Sequence, residues 1–265
     1  MDKKQVLILE ASPRKGFSAI TADKIAEELN NIAVPEILTL RHLNIQPCTG
    51  CCLCLSKGSE YCPHRSDDVK LILDKMIEAQ GVIFVVPNYS LQVSGLLKQL
   101  LDRLAFVFHR PRLFGITFMP IVVQGVYGGG KIVKYLNDAM EFWGMKPTMG
   151  AVITGGIFPK ETQQDTIIGK NEKRIDKALI DFRHQLIRNH VKKPSLFRMM
   201  IFRSTRSSMK YFAETLEPDK AYYQKMGWLH SDYYYDVKLN PMKRFAGWFV
   251  DVMIKRMAMK SVSNQ

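Results

Sequence analysis

The fold of this chain is decided by the stretch Val6-Leu7-Ile8-Leu9-Glu10-Ala11-Ser12-Pro13-Arg14-Lys15-Gly16-Phe17-Ser18-Ala19. Its four consecutive apolar residues predict a buried strand, and the polar loop after them leads into an amphipathic helix. Such a loop presents backbone N–H groups at the positive end of the helix dipole, where an anion binds. The hydroxyls of Ser12 and Ser18 and the cations Arg14 and Lys15 suit a terminal phosphate, although a Ser/Pro/Gly turn is also compatible with a simple connection.

The same alternation of apolar runs and amphipathic stretches continues to about residue 160. The runs predicted as strands are 6–9, 37–40, 81–86, 118–124 and 151–154. This rhythm is typical of an α/β fold, here a doubly wound, five-stranded parallel sheet with helices on both faces. Ligands bind at the carboxyl ends of such strands, where polar loops follow strands one, three and four. We expect one domain over residues 1–160 and a helical, basic C-terminal extension over residues 161–265.

The charge of the chain is strongly positive and concentrated in this extension. Lys and Arg number 38 against 25 Asp and Glu, a formal net charge of +13. Between Asp181 and Glu214 there are cations and no acid: Arg183, Arg188, Lys192, Lys193, Arg198, Arg203, Arg206 and Lys210. Such a segment suits an anionic membrane surface, an acidic partner or a solvated basic face. Nucleic acid is not expected, because the sequence contains no helix-turn-helix, zinc-finger or RNA-binding signature.

A last amphipathic helix begins near Pro241. It places apolar residues toward one side, with basic residues flanking them: Phe245, Trp248, Phe249, Val252 and Met253, and Lys243, Arg244, Lys255, Arg256 and Lys260. Such a helix can make a peripheral membrane contact, and packing against the core or a second subunit is the alternative. No apolar run approaches the roughly 18 residues of a spanning helix. The first apolar stretch is too short for a signal peptide, so a cytoplasmic protein is expected.

All five cysteines fall within a short segment. Cys48, Cys51, Cys54 and Cys62 follow the pattern C-x2-C-x2-C-x7-C, with Cys52 as an extra thiol. In a cytoplasmic chain this density favours metal or redox chemistry over a disulfide framework. A [4Fe-4S] cluster suits four thiolates in so short a loop, while zinc and unliganded redox thiols remain alternatives.

Several blocks occur in a fixed order across residues 5 to 156. They are Ala11-Ser12-Pro13-Arg14-Lys15-Gly16, Pro47-Cys48-Thr49-Gly50-Cys51, Pro87-Asn88-Tyr89, Val93-Ser94-Gly95-Leu96-Leu97-Lys98 and Asp102-Arg103. In order and spacing these blocks resemble the NADPH-dependent FMN reductase and iron-sulfur flavoprotein family. The resemblance implies a flavodoxin-like fold with FMN at the ends of strands one, three and four.

The resemblance also implies which residues hold the cofactor. By position, the FMN phosphate would be surrounded by Ser12, Arg14, Ser18, Ala19 and Ile20. The isoalloxazine ring would be lined by Pro87, Asn88, Tyr89 and Ser90, and its other edge closed by Gln124, Gly125, Tyr127, Gly128 and Gly129. Tyr89 is also compatible with core packing, and the glycine run with a flexible turn. The family commonly has Asn-Thr or Asn-Ser where Ser18-Ala19 stands, so backbone groups must replace one hydroxyl contact.

The implied activity is that of an NAD(P)H-dependent, FMN-containing oxidoreductase that passes hydride through the flavin N5 to free flavin, a quinone or a small electrophile. The alternative is an FMN and iron-sulfur electron-transfer protein that relays electrons between redox partners. The family resemblance also makes a homodimer the expected assembly, with the flavin near the subunit boundary. No residue is assigned as a catalytic acid or base, since the histidines are scattered and hydride transfer to a flavin needs no such group.

Overall fold

The computed structural model describes residues 3–156, 163–188, 193–212 and 216–263, and the chain divides into two compact units. The first comprises Met1–Thr49 and Ser66–His190, and the second Gly50–Arg65 and Val191–Gln265. The predicted boundary between residues 160 and 161 lies outside the described residues. The observed grouping differs from that prediction in two places. A long helix after residue 160 belongs to the first unit, and most of the cysteine segment belongs to the second.

The strands of the first unit form one parallel sheet. They are β1 (Lys4–Glu10), β2 (Ala33–Thr39), β3 (Gly81–Pro87), β4 (Thr117–Gln124), β5 (Lys146–Pro147) and β6 (Ala151–Thr154). Their order is β2-β1-β3-β4, with β5 and β6 both pairing with β4 in parallel. The predicted doubly wound parallel sheet is therefore confirmed.

The predicted fifth strand is split in two. Thr117 pairs with Lys146 in β5, whereas Ile121 pairs with Ala151 in β6, so one extra residue separates the two registers. Gly150 lies in this interruption with a φ of 66°, and a Cβ there would lie 2.6 Å from the Pro120 carbonyl oxygen. The sheet thus has five strand positions but six strands, because a bulge interrupts the outermost position.

Helices follow the strands, and the last described helix ends at Ser263. They are α1 (Phe17–Leu29), α2 (Leu53–Ser56), α3 (Val69–Glu78), α4 (Gly95–Arg103), α5 (Phe106–His109), α6 (Gly129–Phe142), α7 (Asp165–Arg188), α8 (Leu196–Tyr211), α9 (Glu217–Lys225) and α10 (Pro241–Ser263). Alternate residues of β1, β3 and β4 contribute to a core cluster with α1, as the period of two along a strand requires.

Helix α7 belongs to the sheet-containing unit. The apolar spacing predicts this helix from Glu161 to Asn189, and both of those ends lie outside the described residues. Its apolar stripe, Ile175, Ala178, Leu179, Phe182 and Leu186, is buried in the core cluster that contains α1 and the sheet. Because this stripe packs on the sheet, the fold of the first unit continues past residue 160.

The second unit is built around a cluster of aromatic rings. Phe202 of α8 lies 4.5 Å from Tyr234 and 6.4 Å from Tyr223 of α9, measured between ring centroids. The Trp228 indole N–H donates to the Tyr234 carbonyl oxygen at 2.9 Å. The short helix α2 packs against α9, so the segment with four of the cysteines is grouped with the C-terminal helices.

The basic segment that precedes Glu214 is partly internal. Arg198, Arg203 and Arg206 are buried, and Arg203 pairs with Asp232 and Asp251 while Arg206 also pairs with Asp251. Burial raises the pKa of Asp251, but hydrogen bonds from Ser207 and the two arginines outweigh it and hold that pKa below its ordinary value. These three arginines therefore do not form a solvated basic face. Lys192 of the same segment lies outside the described residues.

Candidate functional site

Loops after β1, β3 and β4 meet at the carboxyl edge of the sheet. The Ala11 N–H donates to the Val85 carbonyl at 3.0 Å, and the Asn88 N–H donates to the Val123 carbonyl at 2.8 Å. The buried Ser94 hydroxyl donates to the Ala11 carbonyl at 2.6 Å and accepts from the Leu97 N–H at the start of α4. These bonds fix the three predicted ligand-binding loops relative to one another.

The predicted phosphate residue Ser12 has its polar groups engaged within the loop. Its N–H donates to Glu10 Oε1 at 2.9 Å, while its hydroxyl donates to the Arg14 carbonyl at 2.8 Å and accepts from the Arg14 N–H at 3.3 Å. The Ser12 side chain is buried by these contacts. In this arrangement Ser12 shapes the loop, and a direct bond from it to a phosphate requires one of these bonds to break.

A buried ion pair lies at the base of this loop. Glu10, the last residue of β1, is 1% exposed, and its Oε2 pairs with the guanidinium of Arg41. Burial raises the pKa of Glu10 above its ordinary 4.5, although the Ser12 N–H and Arg41 act in the opposite direction. Arg41 thus balances a carboxylate that would otherwise repel an anion in the loop.

The N-terminus of α1 has open hydrogen-bond donors. The first backbone bond of the helix runs from the Ile20 N–H to the Gly16 carbonyl, which leaves the N–H groups of Phe17, Ser18 and Ala19 without an acceptor among the described residues. Ser18 is itself a buried residue, and its hydroxyl makes no hydrogen bond within the described part of the chain. Ser18 and Ala19 are placed to meet an anion through these groups.

The other predicted phosphate residues point to different surroundings. Arg14 and Lys15 are exposed beside the loop. The Ile20 side chain is 62% exposed, and it lines a cavity of about 690 Å³ between α1 and α7 that also contains Asp23, Glu27 and Arg183. The structure therefore places the Ile20 side chain on the outer surface of α1, and its N–H is already used within the helix.

Asn88 joins the loops that follow β3 and β4. Its Nδ2 donates to the Tyr127 carbonyl at 2.7 Å, while its Oδ1 is buried and lacks a hydrogen-bond partner. A buried amide oxygen without a donor costs about 1–3 kcal/mol in free energy. The Oδ1 atom is therefore placed to accept a hydrogen bond from a bound molecule. Pro87, just before it, is the buried last residue of β3.

A tight turn follows Asn88. Tyr89 and Gln92 exchange two backbone hydrogen bonds, of 3.0 and 2.9 Å, around Ser90 and Leu91. Ser90 has a φ of 50° and Leu91 a φ of 65°, which are uncommon values for residues with a Cβ. Tyr89 and Leu91 are both more than one third exposed, so this turn presents apolar surface at the edge of the crevice.

The loop after β4 is held by a side chain at its base. Gln124 Oε1 accepts from the Gly129 N–H at 2.8 Å, and its Nε2 donates to the Val126 carbonyl at 3.1 Å. Gly128 has a φ of 98°, and a Cβ on it would overlap the Leu91 side chain. The exposed Gly125 lies within the loop, while Tyr127 is 68% exposed at its rim.

Part of the predicted ring-binding set also lines a second space. A cavity of about 450 Å³ is bounded by Gln124, Tyr127, Gly128 and Gly129 and extends to Arg174 and Lys177 of α7. The loop after β4 therefore borders open space on the side of α7. On its other side, this loop contacts Asn88 and Leu91 of the loop after β3.

The ends of the cysteine segment are fastened at one point in the first unit. The Arg103 guanidinium pairs with Asp67, and both side chains are 4% exposed. Arg103 also donates to the Gln46 carbonyl at 2.9 Å, while Asp67 Oδ2 accepts from the Gln46 N–H at 3.0 Å. The chain therefore leaves at Gln46 and returns at Asp67 through the same buried ion pair.

The cysteines between these ends fall into both units. Cys48 belongs to the first unit, and Cys51, Cys52, Cys54 and Cys62 to the second. Cys48, Cys51 and Cys52 are exposed, whereas Cys54 and Cys62 are partly buried. Across the described ranges, no group of three or more His, Cys, Asp and Glu side chains is arranged to hold a metal ion. The structure thus gives no support for the predicted set of four cluster ligands.

Some residues of the site carry no sequence signal for the role they have here. Ser94 is recognisable as an N-cap because it precedes a helix, but its second bond, to Ala11, joins residues 83 positions apart. The pairing of Glu10 with Arg41 has no periodic signature, since one residue ends a strand and the other lies in a short 3-10 turn, Leu40–His42.

Known proteins resemble this chain in sequence over the same residues. Residues 5–158 match the model of the NADPH-dependent FMN reductase family. An iron-sulfur flavoprotein of Archaeoglobus fulgidus is 28% identical over 195 residues, which cover 67% of this chain and 94% of that protein. One of Methanosarcina thermophila is 26% identical over 194 residues, which cover 69% and 97%.

Solved structures agree with the fold. An NAD(P)H:quinone oxidoreductase from Methanothermobacter marburgensis aligns with a TM-score of 0.51 at 19% identity, over 67% of this chain and 98% of that one. RosB with bound 8-demethyl-8-formylriboflavin-5'-phosphate aligns with a TM-score of 0.52 at 14% identity, over 90% and 92%. The flavodoxin-like fold expected from the sequence is confirmed. Because the family model covers more than half of the chain, this protein belongs to the NADPH-dependent FMN reductase family and is an oxidoreductase.

Proposed function

We propose that the chain is an NAD(P)H-dependent, FMN-containing reductase of flavins, quinones or other small electrophiles. Bound FMN supplies hydride transfer through its N5 between a nicotinamide and the acceptor. The observation that supports this proposal best is the unpartnered, buried Oδ1 of Asn88 at the meeting point of the loops after β3 and β4. It fits the ring N–H of a flavin, which is a donor at the pyrimidine edge.

The phosphate end of the crevice fits the same cofactor. The free N–H groups of Phe17, Ser18 and Ala19 and the Ser18 hydroxyl would bind the phosphate, and Arg14 and Lys15 add positive charge nearby. The backbone donors replace the hydroxyl that Ala19 lacks. Arg41 keeps the buried Glu10 carboxylate from opposing this charge.

The rim of the crevice has the character of a surface for planar, apolar substrates. Tyr89, Leu91, Val126 and Tyr127 are exposed there, with Val126 and Tyr127 about 70% accessible. Aromatic side chains stack on planar rings and exclude water from them. We propose that this rim orients the nicotinamide and the acceptor in turn against the flavin.

Anaerobic purification with a visible spectrum tests the proposal. We expect oxidised flavin bands from a stoichiometric amount of FMN, bleaching of these bands by NADPH or NADH, and recovery of the bands on adding a quinone or free FMN. If the protein contains no flavin, even after reconstitution with FMN, the proposed function is wrong.

A second candidate function is an FMN and iron-sulfur electron-transfer protein that relays electrons between redox partners. It is favoured by the four-cysteine spacing between the fastened ends at Gln46 and Asp67, and by the names of the iron-sulfur flavoproteins that the chain resembles. The relay proposal depends on this spacing and on those names, since no metal-binding group is found among the described residues. An iron and sulfide assay distinguishes the candidates: iron lost in a Cys48→Ser variant supports the relay, and flavin without iron supports the reductase.

The homodimer remains a proposal as well. A second subunit would have to leave the crevice open to substrates while lying near the flavin. Light scattering of the flavin-loaded protein measures the mass directly, and a mass of 30.4 kDa at all concentrations would contradict a dimer.

A further inference from the structure

Helix α10 has both a buried and an exposed apolar surface. Its buried face consists of Gly247, Val250, Ile254 and Ala258, at helical spacing. The rest of the helix surface is exposed, and we call its apolar part the outer face of α10: Phe245, Trp248, Phe249, Met253 and Met257 are each 45–65% exposed. An exposed apolar surface of this extent normally marks a contact with a partner.

The buried face already has its partner within the second unit. The Lys243 ammonium donates to the Pro194 carbonyl at 2.6 Å, and further along α10 Asp251 pairs with Arg203 and Arg206. From the first of these contacts to the last, the residue numbers increase along both helices, so α8 and α10 run parallel. A Cβ on Gly247 would lie 3.0 Å from the Met199 sulfur, so the two helices are in close contact. The outer face therefore takes no part in holding this helix pair together.

The charge of α10 is divided between its faces. Its acid, Asp251, points inward and is neutralised by two arginines and the Ser207 hydroxyl. Its cations Arg244, Lys255 and Arg256 are exposed and border the apolar residues. The outer face is thus apolar over its first turns, up to Met253. Arg256 adds a cation on the same stripe two turns after Phe249, with Arg244 and Lys255 beside it, and no exposed carboxylate of the described helix offsets this charge.

This combination selects an anionic lipid surface over a second copy of the chain. In a two-fold dimer the outer face would meet itself and bring its cations against like charges. A lipid surface with negative headgroups attracts those cations, and it accepts Trp and Phe at the level of the headgroups. Within the described residues no helix is long and apolar enough to cross a membrane, so the helix would lie in the plane of the interface.

We propose that the outer face of α10 binds an anionic lipid surface, with Trp248 and Phe249 inserted among the headgroups and Arg244, Lys255 and Arg256 on the lipid phosphates.

Tryptophan fluorescence gives a direct measurement. Trp143 and Trp228 are 0% and 3% exposed, whereas Trp248 is 54% exposed, so a change on lipid binding reports the outer face. We expect the full chain to sediment with vesicles of phosphatidylglycerol and phosphatidylcholine in equal amounts, with a blue shift in emission. Vesicles of phosphatidylcholine alone should bind at least about tenfold more weakly, since each surface cation contributes about 1 kcal/mol.

Matched variants locate the effect. Phe249→Glu and the double change Lys255→Glu with Arg256→Glu should each weaken vesicle binding at least about tenfold, with unchanged circular dichroism and FMN content. Ile180→Glu, on the 66% exposed position of α7, and Lys170→Glu with Lys173→Glu should leave it unchanged.

Three results would overturn the proposal. The first is equal binding of the native chain and Phe249→Glu to anionic vesicles, and the second is sedimentation without any shift in Trp248 emission. The third is failure to bind anionic vesicles while light scattering shows a dimer that Phe249→Glu dissociates, which would assign the outer face to a second copy.

Discussion

The Asn88 side-chain amide donates a hydrogen bond of 2.7 Å to the backbone carbonyl of Tyr127 and thereby joins the loops after β3 and β4. This bond leaves the Asn88 Oδ1 buried, without a donor, and facing no described group that could satisfy it. One side chain thus sets the width of the crevice and presents an acceptor within it.

Replacing Asn88 by Ala should weaken FMN binding by about 10- to 100-fold, because it removes the loop-joining bond and the acceptor, each of about 1 kcal/mol or more. Titration of the apoprotein with FMN, followed by quenching of flavin fluorescence, measures the change. Asn31→Ala, at an exposed position after α1, is the control and should bind FMN as the native chain does. Equal affinities for the two variants would contradict the assignment of Asn88.

The two serines of the phosphate loop should respond differently to loss of the hydroxyl. Ser18→Ala should lower FMN affinity about 5- to 10-fold without lowering stability, because its hydroxyl has no partner in the described protein. Ser12→Ala removes two bonds within the loop and should lower the free energy of unfolding by about 1–2 kcal/mol. Denaturant unfolding and FMN titration of both variants test this contrast, and an unchanged affinity in Ser18→Ala would show that the phosphate lies elsewhere.

Gly128 should not tolerate a side chain. Gly128→Ala imposes a φ of 98° on a residue with a Cβ that also overlaps Leu91, so we expect a loss of about 1–3 kcal/mol in stability together with weaker FMN binding. Gly130→Ala is the matched change, since a Cβ there meets no atom within 4 Å and the residue lies in the first turn of α6. It should leave stability unchanged or raise it by up to about 1 kcal/mol. Similar losses in both variants would contradict this account.

The buried pair of Arg103 and Asp67 should matter more than a neighbouring exposed pair on the same helix. Arg103→Met leaves the Asp67 carboxylate buried and unpaired, so the free energy of unfolding should fall by about 3–5 kcal/mol. Lys98→Met breaks an exposed pair with Asp102 and should cost less than about 1 kcal/mol. Chemical denaturation measures both, and a loss of the same size for Lys98→Met would show that burial does not set the difference.

Acid should destabilise the fold through Asp67. Burial raises the pKa of Asp67, but hydrogen bonds from Arg103 and from the Gln46 and Val69 N–H groups outweigh it and hold the pKa below the ordinary 3.8. A carboxyl group with a lowered folded pKa stabilises the protein above its unfolded pKa, and this contribution is lost as the pH falls through the folded pKa. The stability difference between the native chain and Asp67→Asn should therefore shrink below pH 3.8. A difference that is constant across the acid range would refute this role.

Local pattern predicted where the helices lie better than where they begin and end. The apolar spacing predicts a helix from Tyr135 to Gly144, but α6 begins at Gly129, because the Gln124 side chain accepts from the Gly129 N–H and closes the loop there. The apolar spacing also predicts one helix from about Gly95 to Phe108, but the structure divides it into α4 and α5, which a continuous apolar stripe does not reveal. These differences arise where side chains distant in sequence decide the backbone.

The sequence by itself determined the parallel sheet, because apolar runs of strand length separated by amphipathic helices can bury their faces in few other ways. It also determined that polar loops gather at the carboxyl edge. Only the tertiary structure decided that Ser12 bonds within its own loop, that Asn88 reaches Tyr127, and that Arg203 and Arg206 neutralise Asp251. The physical reason is that burial and hydrogen-bond partnership depend on groups brought together by folding, whereas periodicity depends on neighbours along the chain.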